Sequence, residues 1–214
     1  MITDKIMIMG AMKDVELNLI LDNFKNINVY EEISCTFYEG QLFDKNVVVC
    51  HTNIGSINAA VATFAGIKKY SPTAIIGIGV AGAHREDIHR EELIIATDII
   101  NLNSLDYELK RFDSSKEILE MIKKCQTVSD YKVHYGTIGS GDVWTKDAEE
   151  IKEINEKYVT LCEEMESAAI YEVAQKFEIP VASIRVISNN EIIGEEYIRE
   201  TGAVAQKFLL EILK

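Results

Sequence analysis

The chain has 214 residues, 47% hydrophobic and 27% charged, with 22 Lys+Arg against 35 Asp+Glu for a net charge of −13. That length and balance fit one globular domain, residues 1–214, with a sizeable core. An acidic surface repels phosphate backbones and anionic headgroups, which argues against nucleic-acid and membrane partners and leaves a small ligand in a cleft.

Apolar runs alternate with stretches of helical period. Lys5–Met9 reads as a strand that stops at Gly10, and Met12–Phe24 as a helix with Val15, Leu19 and Ile20 on one face. Cys35–Tyr38 and Asn46–His51 read as two strands joined by a short turn. Ile57–Tyr70 is Ala-rich and helical, with Pro72 just past its end. Ala74–Val80 and Leu93–Ile100 are strands, and Ser114–Gln126 is an amphipathic helix with Ser114 or Ser115 as its cap. Tyr131–Ile138 is a strand ending in Gly139-Ser140-Gly141-Asp142, and Asp147–Tyr158 a charged helix. Thr160–Cys162 is a short strand, Glu166–Phe177 a helix, Val181–Ser188 a strand, and Glu196–Leu213 the closing helix. Strands alternating with helices predict an α/β fold with a largely parallel sheet covered on both faces, and the early strand pair makes it mixed.

Several chemistries fall away. The cysteines Cys35, Cys50, Cys125 and Cys162 show no CxxC spacing, and the four histidines show no HExxH pattern, so neither a disulfide framework nor a metal site is expected. There is no P-loop and no GxSxG elbow. Gly77, Gly79 and Gly82 form a GxGxxG, but no acidic residue follows at dinucleotide-site spacing. The stretch from Met1 to Lys5 carries no basic n-region or cleavage site, and a cytoplasmic location is expected.

Polar and flexible residues gather where strands end, the place where open α/β sheets bind ligands. The groups are Gly10-Ala11-Met12 with Asp14 and Glu16, Asn53-Ile54-Gly55-Ser56, Gly79–Ala83, Glu163–Glu166, and Arg185 with Ser188-Asn189-Asn190. Taken singly, Glu166 reads as an acidic residue favoured at a helix start, and Glu16 as a solvated helix residue. Arg185 lies inside an apolar strand, where a lone charge is costly, so it needs a carboxylate partner. Trp144 serves either as core or as a stacking surface for a flat ligand.

The segments IMGAM (Ile8–Met12), FYEG (Phe37–Gly40), NIGSINAA (Asn53–Ala60), GVAGA (Gly79–Ala83), SGD (Ser140–Asp142), EMESAAI (Glu164–Ile170) and IRVISN (Ile184–Asn189) occur in this order along the chain. Together they resemble the bacterial 5′-methylthioadenosine/S-adenosylhomocysteine nucleosidases of the purine nucleoside phosphorylase-like superfamily. The resemblance implies a single-domain three-layer sandwich, a homodimer, and a purine nucleoside cleaved at its N-glycosidic bond, with no cofactor and a place in methionine salvage. It assigns the ribose hydroxyls to Glu166, the sugar face to Met165, and water activation to Glu16 with Arg185. Glu164, Val80 and Gly82 would line the substrate, Ile54 and Trp144 would flank the purine, and backbone near Thr145 would read its edge. Glu16 fits this register only with one extra residue after Met12, since strict counting from Gly10 lands on Val15.

Three departures bear on the substrate. Asn189 stands where the family has the aspartate that protonates the departing base, and an amide donates a hydrogen bond but delivers no proton. Asn here resembles the 6-oxopurine enzymes, including futalosine hydrolases with a similar Ser-Asn pair, and Glu191 is a nearby acid. Val80 replaces a family serine, and the segment Asn101–Ser114 is short, so the 5′ pocket is expected to differ. A phosphorylase is the alternative enzyme, with Arg85 as a second cation beside Arg185, and a non-catalytic nucleoside-binding protein is the alternative class.

Overall fold

Strand β1 (Ile6–Gly10) is buried along its whole length, and its side chains divide between two apolar clusters. Met7 and Met9 join the first and Ile6 and Ile8 the second, the alternation of a strand covered on both faces. The computed structural model describes residues 5–104, 109–126 and 130–214. The expectations for Met1–Asp4, and part of that for the 101–114 segment, lie outside those residues.

After β1 come a π-helical turn (Lys13–Leu17), α1 (Asn18–Asp22), β2 (Phe24–Glu32), β3 (Cys35–Leu42), β4 (Lys45–His51), α2 (Ser56–Tyr70), β5 (Ala74–Ala83) and β6 (Leu93–Asn101). There follow β7 (Arg111–Asp113), α3 (Lys116–Gln126), β8 (Val133–Ser140), α4 (Ala148–Tyr158), β9 (Thr160–Glu164), α5 (Ser167–Lys176), β10 (Val181–Asn189), a 3-10 turn (Arg199–Thr201) and α6 (Gly202–Ile212). The strands form one mixed sheet in the order β10-β6-β8-β9-β5-β1-β4-β3-β2, with β7 on β6. Because β10 also pairs with β5, the strands β5, β10, β6, β8 and β9 close into a ring, from which β1, β4, β3 and β2 extend. Helices α2 and α5 cover the Met7 face, and α1, α3 and α6 the Ile6 face. The three layers are those expected; the closure goes beyond the open sheet that alternation alone suggests.

Three local readings change. The expected Met12–Phe24 helix is a π turn plus the five residues of α1, and the chain continues as β2. That strand is exposed on both faces, with Val29 59% exposed, so it carries no inward–outward alternation to read. Of the two serines offered as the cap of α3, Ser115 directly precedes the helix and its carbonyl accepts the Leu119 N–H, while Ser114 donates its hydroxyl to the Ala96 carbonyl at 2.7 Å and meets Tyr171 Oη at 2.7 Å. The closing helix begins only at the turn Arg199–Thr201, and Asn190 and Glu195 exchange backbone hydrogen bonds in the loop before it.

Candidate active site

A cavity of about 330 Å³ opens where β1, β5, β9 and β10 reach their carboxyl ends. It is lined by Glu16, Ile54, Val80, Gly82, Trp144, Glu164, Met165, Glu166 and Asn189 among the residues singled out from sequence. Ala11, Met12, Ala81, Val143, Glu163, Ser188 and Tyr197 complete it. Val143 follows the SGD motif and Tyr197 falls in the expected closing helix, so neither carried a signal of its own; Glu163 belongs to the polar stretch Glu163–Glu166 and had no role assigned.

Glu16 is brought into the cavity by the π turn. Val15, Glu16 and Leu17 are all buried, and three consecutive inward residues do not fit the period of an α-helix. A π turn holds one residue more per turn and is often found at functional sites. The turn lies at the place where the resemblance needs one extra residue after Met12. The carboxylate is 2% exposed and accepts three backbone N–H groups, from Ala11 at 2.6 Å, Met12 at 2.9 Å and Val80 at 3.1 Å. Burial raises its pKa, against the pull of Arg185 and those three amides.

Arg185 does not touch the cavity wall; it lies behind it, 1% exposed, among carboxylates. It pairs with Glu164 in close contact, stands 3.7 Å from Glu166 Oε2, and donates to Ser167 Oγ at 3.0 Å. The sequence-based requirement for a carboxylate partner is met twice. Burial opposes the guanidinium charge, but Glu164, Glu166 and Glu16 together outweigh it and raise its pKa. Gly79 makes room for this packing, since a Cβ there would run into the guanidinium and lie 2.5 Å from Glu16 Oε1. The GxGxxG glycines therefore sit inside β5 and serve side-chain packing, with no turn in which to cradle a phosphate.

Glu164, expected to contact substrate, has its oxygens committed elsewhere. It accepts from the Glu166 N–H at 3.1 Å, the Ser167 N–H at 3.0 Å and Ser167 Oγ at 3.1 Å, as well as pairing with Arg185. It anchors the start of α5 and so sets the direction of Glu166. Glu166 in turn accepts the Gly55 N–H at 3.0 Å. Burial, aided by the Glu164 charge, pushes its pKa from 4.5 to about 8. Gly55 is held at φ +100° by its neighbour, because Asp142 accepts both the Ser56 N–H at 2.7 Å and Ser56 Oγ at 2.5 Å. The SGD motif thus acts as a brace between two loops.

Asn189 lines the far side of the cavity, 3% exposed. Its Oδ1 accepts Ser188 Oγ at 2.9 Å and its Nδ2 donates to Glu191 Oε1 at 3.2 Å, so Glu191 orients the amide and does not itself line the cavity. The expectation for Thr145 is corrected. Its N–H donates to Glu163 Oε1 at 2.7 Å and its hydroxyl to Glu163 Oε2 at 2.9 Å, which removes that amide from any ligand. Trp144 does face the cavity, edge-on to Tyr197 at 5.8 Å between ring centroids.

Arg85 is bound to Asp87 at 2.8–2.9 Å and lines a different cavity, so it brings no second cation to the site. Among the described residues no group of three or more His, Cys, Asp or Glu is arranged to hold a metal ion, and no helix is long and apolar enough to cross a membrane.

A mixed sheet flanked by helices, with carboxylates converging on a cavity at its strand ends, is the architecture of an α/β domain that binds a small ligand. The sequence profile of the phosphorylase superfamily matches residues 5–214, and the chain belongs to that superfamily. A 5′-methylthioadenosine/S-adenosylhomocysteine nucleosidase of Bacillus thuringiensis subsp. konkukian is 24% identical over 228 residues, covering 98% of each chain. The Neisseria meningitidis nucleosidase of the same name, solved with methylthio-immucillin-A, superposes with a TM-score of 0.91 at 27% identity over 99% of both chains. The futalosine hydrolase of Helicobacter pylori strain 26695 shares the fold, with a TM-score of 0.89 at 19% identity over 99% of this chain and 97% of its own.

Proposed function

We propose that the chain is a purine nucleoside N-ribosyl hydrolase that releases the free base, with a preference for 6-oxopurines. The observation that carries this reading is the convergence of Glu16 and Glu166 on one cavity, although 150 residues separate them in sequence. Cleaving an N-glycosidic bond builds positive charge on the sugar and negative charge on the departing base. Glu166 accepts the ribose hydroxyls, Met165 packs on the sugar, and Glu16 draws a proton from the attacking water while its charge faces the developing cation. Asn189 donates Nδ2–H to the base. The O6 and N7 atoms of a 6-oxopurine are both acceptors, so that base needs a donor there.

Hydrolysis is favoured over phosphorolysis by the charge inventory. Arg185 is already paired with Glu164 and stands beside Glu166, so it is not free to meet a phosphate dianion. The nucleosidase names of the relatives point the same way, and methylthioadenosine or adenosylhomocysteine, with a role in methionine salvage, is the alternative substrate reading. Base release from a panel varied at the 6- and 5′-positions, with and without phosphate, tests all of this. Strict phosphate dependence overturns hydrolysis, and purine nucleoside binding without turnover of any panel member leaves only a binding protein.

The working unit in this reading is a cytoplasmic homodimer. Four free cysteines suit a reducing compartment. Ile57 (78% exposed) and Phe64 (52%) on α2 leave an apolar face beside Phe177, suited to a second copy. Sedimentation of the wild type and of Ile57→Lys tests the dimer.

A further inference from the structure

Gln206 is a buried amide on α6, 1% exposed, for which the proposed chemistry has no use. Its side chain reaches the π turn that carries Glu16. Oε1 accepts the Leu19 N–H at 2.8 Å, and Nε2 donates to the Val15 carbonyl at 2.8 Å. Val15 and Leu19 are four residues apart, so in an α-helix that N–H would donate directly to that carbonyl. The amide of Gln206 stands between the two groups and bonds to both. Nε2 also donates to Asn18 Oδ1 at 3.1 Å, which fixes the way round in which the amide lies.

The backbone shows the break that this insertion makes. Leu17, the last residue of the π turn, has φ −130° and ψ −18°, away from helical values, before α1 resumes at Asn18. A side chain inserted into the i→i−4 ladder is one of the few causes of sharp helix distortion. Gly202, one turn before Gln206 on α6, completes the seat, because a Cβ there would run into the Val15 carbonyl oxygen. One extra residue offsets the faces on its two sides by about 100°, the angle that a residue turns in an α-helix. That offset lets Val15, Glu16 and Leu17 all point inward. Closing the ladder would undo it and turn Glu16 away from the amides of Ala11, Met12 and Val80.

We propose that Gln206 is a positioning residue: by taking the place of the Val15–Leu19 hydrogen bond it keeps the π turn open, and so aims the Glu16 carboxylate at the attacking water. This rests on the reading of Glu16 as the base that activates water. Gln206 does not line the cavity and reaches the reaction only through Glu16. Methionine at position 206 has nearly the same length and no group to match either partner, so the Leu19 N–H and the Val15 carbonyl are left to bond each other.

The test is a double-mutant cycle of Gln206→Met and Glu16→Gln, read by kcat and KM on inosine, together with a crystal structure of Gln206→Met. Gln206→Met is expected to lower kcat at least about tenfold and leave KM within about twofold of the wild type, the pattern of a displaced catalytic group. On the Glu16→Gln background the same change is expected to cost less than about twofold more, because its effect passes through a residue already lost. Additive losses, as a merely structural role would give, overturn the proposal, and so does an unchanged kcat. The crystal structure needs no turnover. A direct Leu19-to-Val15 bond with Glu16 withdrawn supports the proposal, and a π turn kept with Glu16 in place overturns it. Should Gln206→Met not fold, Asn18→Ala at an exposed site takes its part. It frees the amide to turn over and is expected to lower kcat about threefold, the size of one weakened hydrogen bond; an unchanged kcat overturns the proposal. An unchanged kcat in Glu16→Gln alone overturns the water-activation reading itself, a result that does not involve Gln206.

Discussion

The guanidinium of Arg185 fills the space in which a side chain at position 79 would stand. The two residues are register partners on β10 and β5, so neither can withdraw from the other without breaking the ladder. Gly79→Ala is expected to cost roughly 1–3 kcal/mol of stability, as overpacking does. It should lower kcat/KM as well, because the same added methyl lies against Glu16. Thermal unfolding and steady-state kinetics of the one variant check both effects.

Removing the charge that this arrangement protects has a larger effect. Arg185→Met leaves Glu164 buried without its cation, and breaking such a pair costs about 3–5 kcal/mol. Adding Glu164→Gln should recover part of that loss, because the stranded charge is gone. A double-mutant cycle in urea measures the coupling. Independent, additive losses would show that the ion pair contributes no net stability.

Glu166 makes the unliganded protein sensitive to pH. Its pKa is 4.5 in an unfolded chain and about 8 in the folded one, so the folded state holds a proton that the unfolded state releases. The resulting stability is complete below pH 4.5 and is lost as pH rises through about 8. Glu166→Gln is expected to flatten that decline in unfolding experiments. A nucleoside that places its ribose hydroxyls on the ionised carboxylate should expel the proton. Calorimetry at neutral pH in buffers of differing ionisation enthalpy reads that release, which Glu166→Gln abolishes.

Glu16→Gln keeps a side chain of the same shape against the amides of Ala11, Met12 and Val80 but removes the base. A fall in kcat of about 10²–10⁴, typical for loss of a general base, is expected with little change in the circular dichroism spectrum. An unchanged kcat would remove Glu16 from water activation.

Asn189→Asp replaces a donor amide with a group able to deliver a proton. Relative kcat/KM for adenine-bearing over hypoxanthine-bearing nucleosides should rise. A ratio indifferent to the change would put position 189 outside the contact with the base.

What the sequence revealed depended on how far each residue's role was local. Strands buried on both faces, such as β1 and β10, announce themselves as apolar runs, and the need of Arg185 for an acid follows from its apolar neighbours. The exposed β2 has no such pattern to read. Ring closure through β10 and β5 depends on a pairing some hundred residues apart, which no local window contains. Nine of the eleven expected site residues line the cavity; Arg185 lies behind it, and Thr145 is turned away by a bond to Glu163 that only tertiary packing creates. Glu16 was within reach only through a motif whose spacing was off by one, and the π turn absorbs that residue.

The hoop made by β5, β10, β6, β8 and β9 has a mechanical consequence. Every strand within it is clasped on both sides, so bending any one of them breaks two ladders at once. Gly82, Glu163 and Asn189 belong to this stiff frame, and their spacing is set once, at folding. Ile54, Trp144 and Tyr197 stand on connections outside the hoop. Hydrogen exchange should therefore be slow along the hoop strands and fast in those connections.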